Sequence, residues 1–365
     1  MLPGALRQVF TIDRAQLRAQ PAVLCMVTIA AALAVGCALQ RPVIGMIAAG
    51  GAMSVGMGSF QRVGRSRIRP MLWASIGMGL FSIGGSAVGH SGLGAVLNAG
   101  WVGFAGGMLV ALGPGAAWVG LQCAIAALVA SGYPSGMNVA FSRAALLLAG
   151  GLVQTAVVAA YWHFVLPWKL STADDPYPGF VPALRVLREN LSWRSTPFRF
   201  AVREAVTLAS GAALAHFLQI PNGYWIPMTS LLVMKPNLQQ TVPRGIARVG
   251  GTIVGAILAT VLVAELRPNL LLLAVLIVLF AWISYSIVTV NYAAFSISLT
   301  AYIVCLLAFA GLPAGAVVLH RTVNTTAGGA LALLSYATTL WVRRKVPVEP
   351  GPRAAVAASA TATEM

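Results

Sequence analysis

The sequence is short of charge, and shortest of acid. Only 9% of its 365 residues are charged, with eight Asp and Glu against 24 Lys and Arg. A soluble domain carries roughly 25% charged residues, so a soluble enzyme and a disordered chain are both excluded. Cysteine is scarce as well. Cys25, Cys37, Cys123 and Cys305 each stand alone in an apolar run, which leaves no disulfide framework and no CxxC zinc site. There is no HExxH, no P-loop, no carboxylate pair within a cavity-forming segment and no nucleophile beside a base. An enzyme is therefore not expected, and neither is a metal, a cofactor or direct use of ATP. What is abundant is apolar surface: 58% of the residues are hydrophobic and the mean hydropathy is +0.83. Only a bilayer accepts that composition, so the chain reads as an all-α integral membrane protein with the lipid bilayer as its first partner. In a soluble protein the net charge of +16 would suggest nucleic acid. Here it reads as positive charge kept on the cytoplasmic side, and no nucleic-acid partner is expected.

A membrane-crossing helix needs about 20 apolar residues. On that scale the chain divides into about twelve spans, at approximately 21–39, 42–60, 70–89, 93–112, 114–133 and 143–166, then 201–220, 224–241, 246–266, 269–289, 293–312 and 317–342. The expected organisation is a cytoplasmic N-terminus (1–20), a first six-helix membrane repeat (21–166), a cytoplasmic linker (167–200), a second six-helix repeat (201–342) and a disordered cytoplasmic tail (343–365). In the linker Leu184, Leu187 and Leu191 alternate with Arg185 and Arg188 as in an amphipathic helix lying on the inner leaflet. The first span is longer than the core of a signal peptide, about 7–15 residues, and is expected to be retained. With both termini inside, every basic residue except Arg41, Arg143, Arg267 and Arg321 falls on the cytoplasmic side, as positive-inside topology requires.

The halves repeat. A shift of 179 positions places Arg65 on Arg244 and Arg69 on Arg248, and Gly132-Tyr133-Pro134-Ser135-Gly136 on Gly311-Leu312-Pro313-Ala314-Gly315. A shift of 178 places Arg143 on Arg321. Six spans per unit is an even number, so the two repeats would run parallel, related by an axis along the membrane normal.

Chemistry-bearing residues concentrate in the second half. Tyr224-Trp225-Ile226-Pro227-Met228-Thr229 opens the eighth span, and Lys235-Pro236 follows about half a bilayer later at 1.5 Å per residue. Two prolines in so short a stretch argue against a straight continuous helix. A broken helix at membrane depth frees backbone groups that bind ions or substrate; an ordinary proline kink is the plainer alternative. Arg244 and Arg248 share one helix face, with Gly251 and Gly255 offering a close-packing surface beyond them. With Arg65 and Arg69 they read either as topogenic charge or as a basic cytoplasmic mouth for anions. Arg143 and Arg321, at repeat-equivalent outer positions, read either as headgroup anchors or as paired guanidiniums suited to a carboxylate. Tyr224, Trp225, Thr229 and Lys235 complete the candidate substrate-binding set. His90, His163, His216 and His320 read as satisfied neutral side chains, and the tryptophans mostly as interfacial anchors.

From about Ala183 to Lys345 these residues, in order, resemble the fusaric acid resistance protein-like (FUSC) family, related to the aromatic acid exporters. The resemblance rests on Leu184-Arg185 through Ser192, Arg194 and Ser195, on Phe198-Arg199 and Arg203, and on Tyr224 to Thr229 with Val233 and Pro236. It continues through Thr241, Arg244, Arg248, Gly251-Thr252 and Gly255 to Arg321, Thr325, Gly328 and Trp341. The first half matches only through Arg65, Arg69 and Arg143, and has Gly45 where the shift would expect Tyr224. The resemblance implies a multi-pass transporter of the bacterial inner (plasma) membrane that exports aromatic or other weak-acid anions, in some cases with a periplasmic adaptor. A remoter likeness to plant anion channels of the aluminium-activated malate type implies an open anion path instead. The expected function is therefore efflux of a small organic anion, by a homo-oligomer or with an adaptor. The alternatives are an anion-permeable channel or a non-transporting membrane scaffold subunit.

Reporter fusions at Gly92 and Asn222 are expected to read as periplasmic, and fusions at Asp174 and Gly351 as cytoplasmic. A periplasmic Asp174 would overturn the orientation and the parallel repeat together.

Overall fold

A computed structural model describes residue 17 and residues 19–63, 66–164, 179–236, 240–312 and 314–345. Among these residues the regular structure is helical, apart from one isolated bridge between Val63 and Ser66. The helices are α1 (Ala19–Ala38), α2 (Pro42–Gly56), α3 (Ile68–Val88), α4 (Gly92–Met108), α5 (Pro114–Ser131) and α6 (Met137–Phe164). An amphipathic helix α7 (Phe180–Glu189) follows. Then come α8 (Thr196–Phe217), α9 (Trp225–Val233), α10 (Thr241–Leu266), α11 (Leu270–Ile287), α12 (Tyr292–Phe309) and α13 (Ala314–Lys345). Short 3-10 turns, Met57–Phe60 and Leu109–Leu112, extend α2 and α4.

Local sequence sets the helix ends. Proline occupies the first turn of α2, α5 and α8, where its missing N–H would be unpaired anyway. Ser91, Asn269 and Asn291 cap α4, α11 and α12 by accepting from Gly94, Leu272 and Ala294 backbone N–H groups at 2.8–2.9 Å, which satisfies otherwise orphaned donors. Gly113 and Gly311 take positive φ values of 101° and 85°, open to glycine at no steric cost.

Eight helices among the described residues, α2–α6 and α10–α12 with their 3-10 extensions, are long and apolar enough to cross a membrane. The protein is thus a multi-pass membrane protein. The apolar part of α1 is shorter (Ala22–Ala38), and α9 has only nine residues. The sixth span begins at Met137 rather than 143, and the last at Ala314 rather than 317. Arg143 and Arg321 therefore sit inside helices, not at their starts. The last helix runs to Lys345, three residues into the segment expected to be tail; residues 346–365 lie outside the described residues, as do Asp174 and Gly351.

Within the first half α3 packs on α5 and α6, and α2 on α6; within the second half α10 packs on α12 and α13, and α9 on α13. The most extensive contacts between the halves are α4 on α8 and α11 on α1, with smaller ones of α5 on α9 and α2 on α12. Tyr285 of α11 pins the join. Its hydroxyl donates to the carbonyls of Met53 at 2.8 Å and Ala52 at 3.3 Å, in space left by the absent side chain of Gly56. Gly251 and Gly255 lie on the α10–α12 crossing. A Cβ on Gly255 would overlap the carbonyl of Ile297, whereas one on Gly250 would meet nothing within 4 Å. The close-packing surface read from the sequence is therefore occupied by α12.

Gly255→Ala is expected to lower the thermal midpoint of the purified protein, by a destabilisation of about 1–3 kcal/mol from overpacking. Gly250→Ala should be neutral or stabilising, because it only improves helix propensity. Equal effects at the two positions would contradict the crossing.

Candidate functional site

The site is built around α9. Nine residues span about 13 Å at 1.5 Å per residue, less than half of a hydrocarbon core of about 30 Å. Neither proline kinks a continuous helix. Pro227 falls in the first turn, where no donor is lost, and Pro236 lies beyond the end. The chain leaves the helix at Met234, which is extended (φ −62°, ψ 139°). The half-helix is buried almost along its whole length, so both of its ends lie inside the protein.

Arginines hold the C-terminal end. Arg244 Nε donates to the carbonyl of Leu232 at 3.1 Å, and Arg203 Nη2 to that of Lys235 at 2.9 Å. The Leu232 carbonyl lies in the last turn, at the helix's partly negative end, where a cation is favoured, and the Lys235 carbonyl follows just beyond it. The Arg244 guanidinium also stands 3.9 Å from the centre of the Tyr292 ring.

The other end meets α13. Asn324 donates to the carbonyls of Pro221 and Asn222, both at 3.0 Å, and Ser230 donates to Gly328 at 2.9 Å. A Cβ on Gly328 would collide with the Ile226 carbonyl, so glycine there permits the approach. On the same face Arg321 is completely buried, with its guanidinium 4.0 Å from the centre of the Trp225 ring. Its Nε, Nη1 and Nη2 have no hydrogen-bond partner among the described residues. Arg248 on α10 is 1% exposed, and its Nε and Nη1 are likewise without partner. The two guanidiniums lie within electrostatic range of each other, and Arg244 within range of Arg248. The buried hydroxyls of Thr229, Thr252, Ser296, Thr300 and Thr325, on α9, α10, α12 and α13, likewise have no hydrogen-bond partner among the described residues. Burial of a charge without a partner costs several kcal/mol, and here two adjacent charges of one sign are buried together.

Above Arg321 the halves meet through aromatic rings. Trp225 packs on Tyr224 with centroids 5.2 Å apart, and Tyr224 on Tyr133 at 5.4 Å, their hydroxyls 3.2 Å apart. Arg143 does not join Arg321. It donates through Nη1 to the carbonyl of Tyr133 at 2.7 Å and to Ser135 Oγ at 3.4 Å, tying down its own turn.

Of the residues singled out in the sequence, the structure gathers Tyr224, Trp225, Thr229, Lys235, Arg244, Arg248 and Arg321 around α9. Arg69 is exposed and remote from this arrangement's bonds, and Arg65 lies outside the described residues. Gly45, the position equivalent to Tyr224, abuts the carbonyl of Ala32 in the α1–α2 crossing, which leaves no room for a ring. His90 and His320 have hydrogen-bond partners, Ser135 O and Asn222 Nδ2, each at 3.3 Å. Trp73 and Trp101 stand exposed. Sequence reading missed Tyr292, Asn324 and the burial of Glu204; the signal available for the last was an acid next to Arg203 in an otherwise apolar helix. No group of three or more His, Cys, Asp or Glu that could hold a metal occurs among the described residues.

Much of this constellation falls within a family match. Residues 208–335 match the family model described as fusaric acid resistance protein-like. The match takes in α9, Arg244, Arg248 and Arg321 and leaves out Arg69, Arg143 and Glu204. The chain is similar to the inner membrane protein YccS of Escherichia coli K12, 35% identical over 181 residues, 48% of this chain and 24% of YccS. It is also similar to the uncharacterised YhfK of the same strain, 28% identical over 191 residues (50% and 27%). A third relative is the uncharacterised ORF2 protein of Neisseria gonorrhoeae, 28% identical over 148 residues (40% and 35%). The chain spans about a quarter to a third of the length of these curated relatives. No solved structure matches significantly. The protein is a helical multi-pass membrane protein that is similar, over residues 208–335, to the fusaric acid resistance protein-like family and, over about half its length, to an inner membrane protein of Escherichia coli.

Proposed function

We propose that this protein exports small organic anions, aromatic or other weak-acid carboxylates, across the bacterial inner membrane along a path through Arg244, Arg248 and Arg321. The observation that carries the reading is the complete burial of Arg248 and Arg321 with most of their N–H groups unbonded. A carboxylate between them would accept bidentate hydrogen bonds and offset a charge that is otherwise costly at membrane depth. The N-terminal end of α9 adds a partly positive helix terminus beside Arg321. Trp225 and Tyr224 supply flat apolar faces for an aromatic ring. With a membrane potential negative inside, an outward-moving monoanion gains about 2.3 kcal/mol per 100 mV, so export needs no ATP. Arg321 is sealed beneath Trp225 and the Tyr133–Tyr224 pair, which favours a gated carrier over an open channel.

On this reading the helices form two parallel six-helix repeats with both termini cytoplasmic. Helix order supports it, since α1–α6 recur as α8–α13 near the 179-residue shift. Reciprocal packing supports it too. The fourth helix of each half lies on the first helix of the other, as a two-fold relation would give.

Reconstituted into liposomes, the protein is expected to carry benzoate outward in response to an imposed potential. Arg321→Lys keeps the charge but loses planar two-point recognition, and should cut benzoate flux by about tenfold or more at normal membrane abundance, the loss of one charged hydrogen bond of about 1.5–3 kcal/mol. Arg143→Lys should be milder, since Arg143 is engaged by its own turn. Full activity of the Arg143→Lys/Arg321→Lys double variant would contradict the carboxylate site.

A further inference from the structure

The centre of the proposed path has buried cations, and one buried acid stands at its end on the Lys235 side. Glu204 of α8 is 4% exposed. It lies against α4, where the missing side chain of Gly107 makes room: a Cβ there would stand 3.0 Å from Glu204 Oε2. The charged groups facing it are Lys235, in the connection after α9, and Arg203 of its own helix. Neither α4 nor the Leu109–Leu112 turn carries a titratable side chain, and α9 and α13 present no charge to it. Arg203 binds the carbonyl of Lys235, which holds Lys235 where α9 ends. Lys235 in turn lies within electrostatic range of Arg244, the first of the series Arg244, Arg248, Arg321.

Resting on the transport reading above, we infer that Glu204 is a built-in competitor for the transported anion: its carboxylate neutralises Lys235 while the path is empty, and its protonation frees that cation for a substrate carboxylate. Two carboxylates beside one ammonium repel each other at short range in a medium that screens poorly. An incoming anion therefore binds more tightly once Glu204 has taken up a proton at a carboxylate oxygen, and by the same linkage the bound anion favours that proton. Proton and anion thus occupy this end of the path together, with no net change of charge there. Anion binding strengthens as pH falls. Glu204 is a positioning residue in this scheme: it acts through Lys235.

The test uses the full chain in liposomes with benzoate as the probe, which stays ionised between about pH 6 and about pH 8.5. Half-saturation for flux is measured across that range, together with the benzoate-induced rise in unfolding temperature. The wild type is expected to bind benzoate more tightly at the acid end. Glu204→Gln, a fixed mimic of the protonated form, should bind at every pH as the wild type does at the acid end, about tenfold tighter than wild type at the alkaline end. Glu204→Asp should keep the pH dependence. Lys235→Gln should bind benzoate more weakly and lose the pH dependence, because there is no cation to release. A folded Glu204→Gln or Lys235→Gln protein that retains the wild-type pH profile overturns the inference while leaving the transport reading intact. Absence of both flux and benzoate-induced stabilisation in the wild type overturns the two together.

Discussion

Buried positive charge without a fixed counter-charge is the constraint on which this structure turns. A guanidinium can be taken from water into a low-dielectric interior only if other charges and dipoles replace what water supplied. Arg321 receives part of that replacement from the ring of Trp225. Cation–π contacts of this kind contribute about 0.5–2 kcal/mol each, well below the cost of burying the charge. The remainder is the opening for an anion in the proposed mechanism.

The rest of the second half serves that arrangement. A short α9 brings one helix end next to Arg321 and the other next to Arg244 and Arg203. Glycine at 328 lets α13 reach α9, and glycine at 251 and 255 lets α12 reach α10. In the first half, Gly45 takes part in a helix crossing and Arg143 is bonded to its own turn. The domain match over residues 208–335 covers the half in which the buried arginines lie.

Much of the fold was legible because membrane helices announce themselves by length and hydropathy: most segment bounds agree with the helices to within a few residues. The departures have physical causes. The eighth segment was carried to residue 241 with a break expected near Lys235-Pro236; the helix ends at Val233, and Met234 to Pro236 leave it. The sixth span was begun at Arg143 because composition cannot see that the helix extends back through Ser142 to Met137. Arg244 and Arg248 were correctly placed on one face by their spacing, but spacing says nothing about depth, so the burial of Arg248 and the exposure of Arg69 needed coordinates. Tyr292 was invisible because its partner Arg244 comes from a different helix, and the burial of Glu204 because it depends on the close approach of α4 at Gly107.

The central claim is that a carboxylate occupies the space between Arg248 and Arg321. The most direct measurement is the anomalous bromine signal from crystals of the protein grown with 4-bromobenzoate. The account predicts a bromine peak beside Trp225 and Tyr224, with the carboxylate between the two guanidiniums, and loss of that peak in an Arg248→Met/Arg321→Met variant. A bromine peak confined to the lipid-facing surface, or one unchanged in that variant, would contradict it.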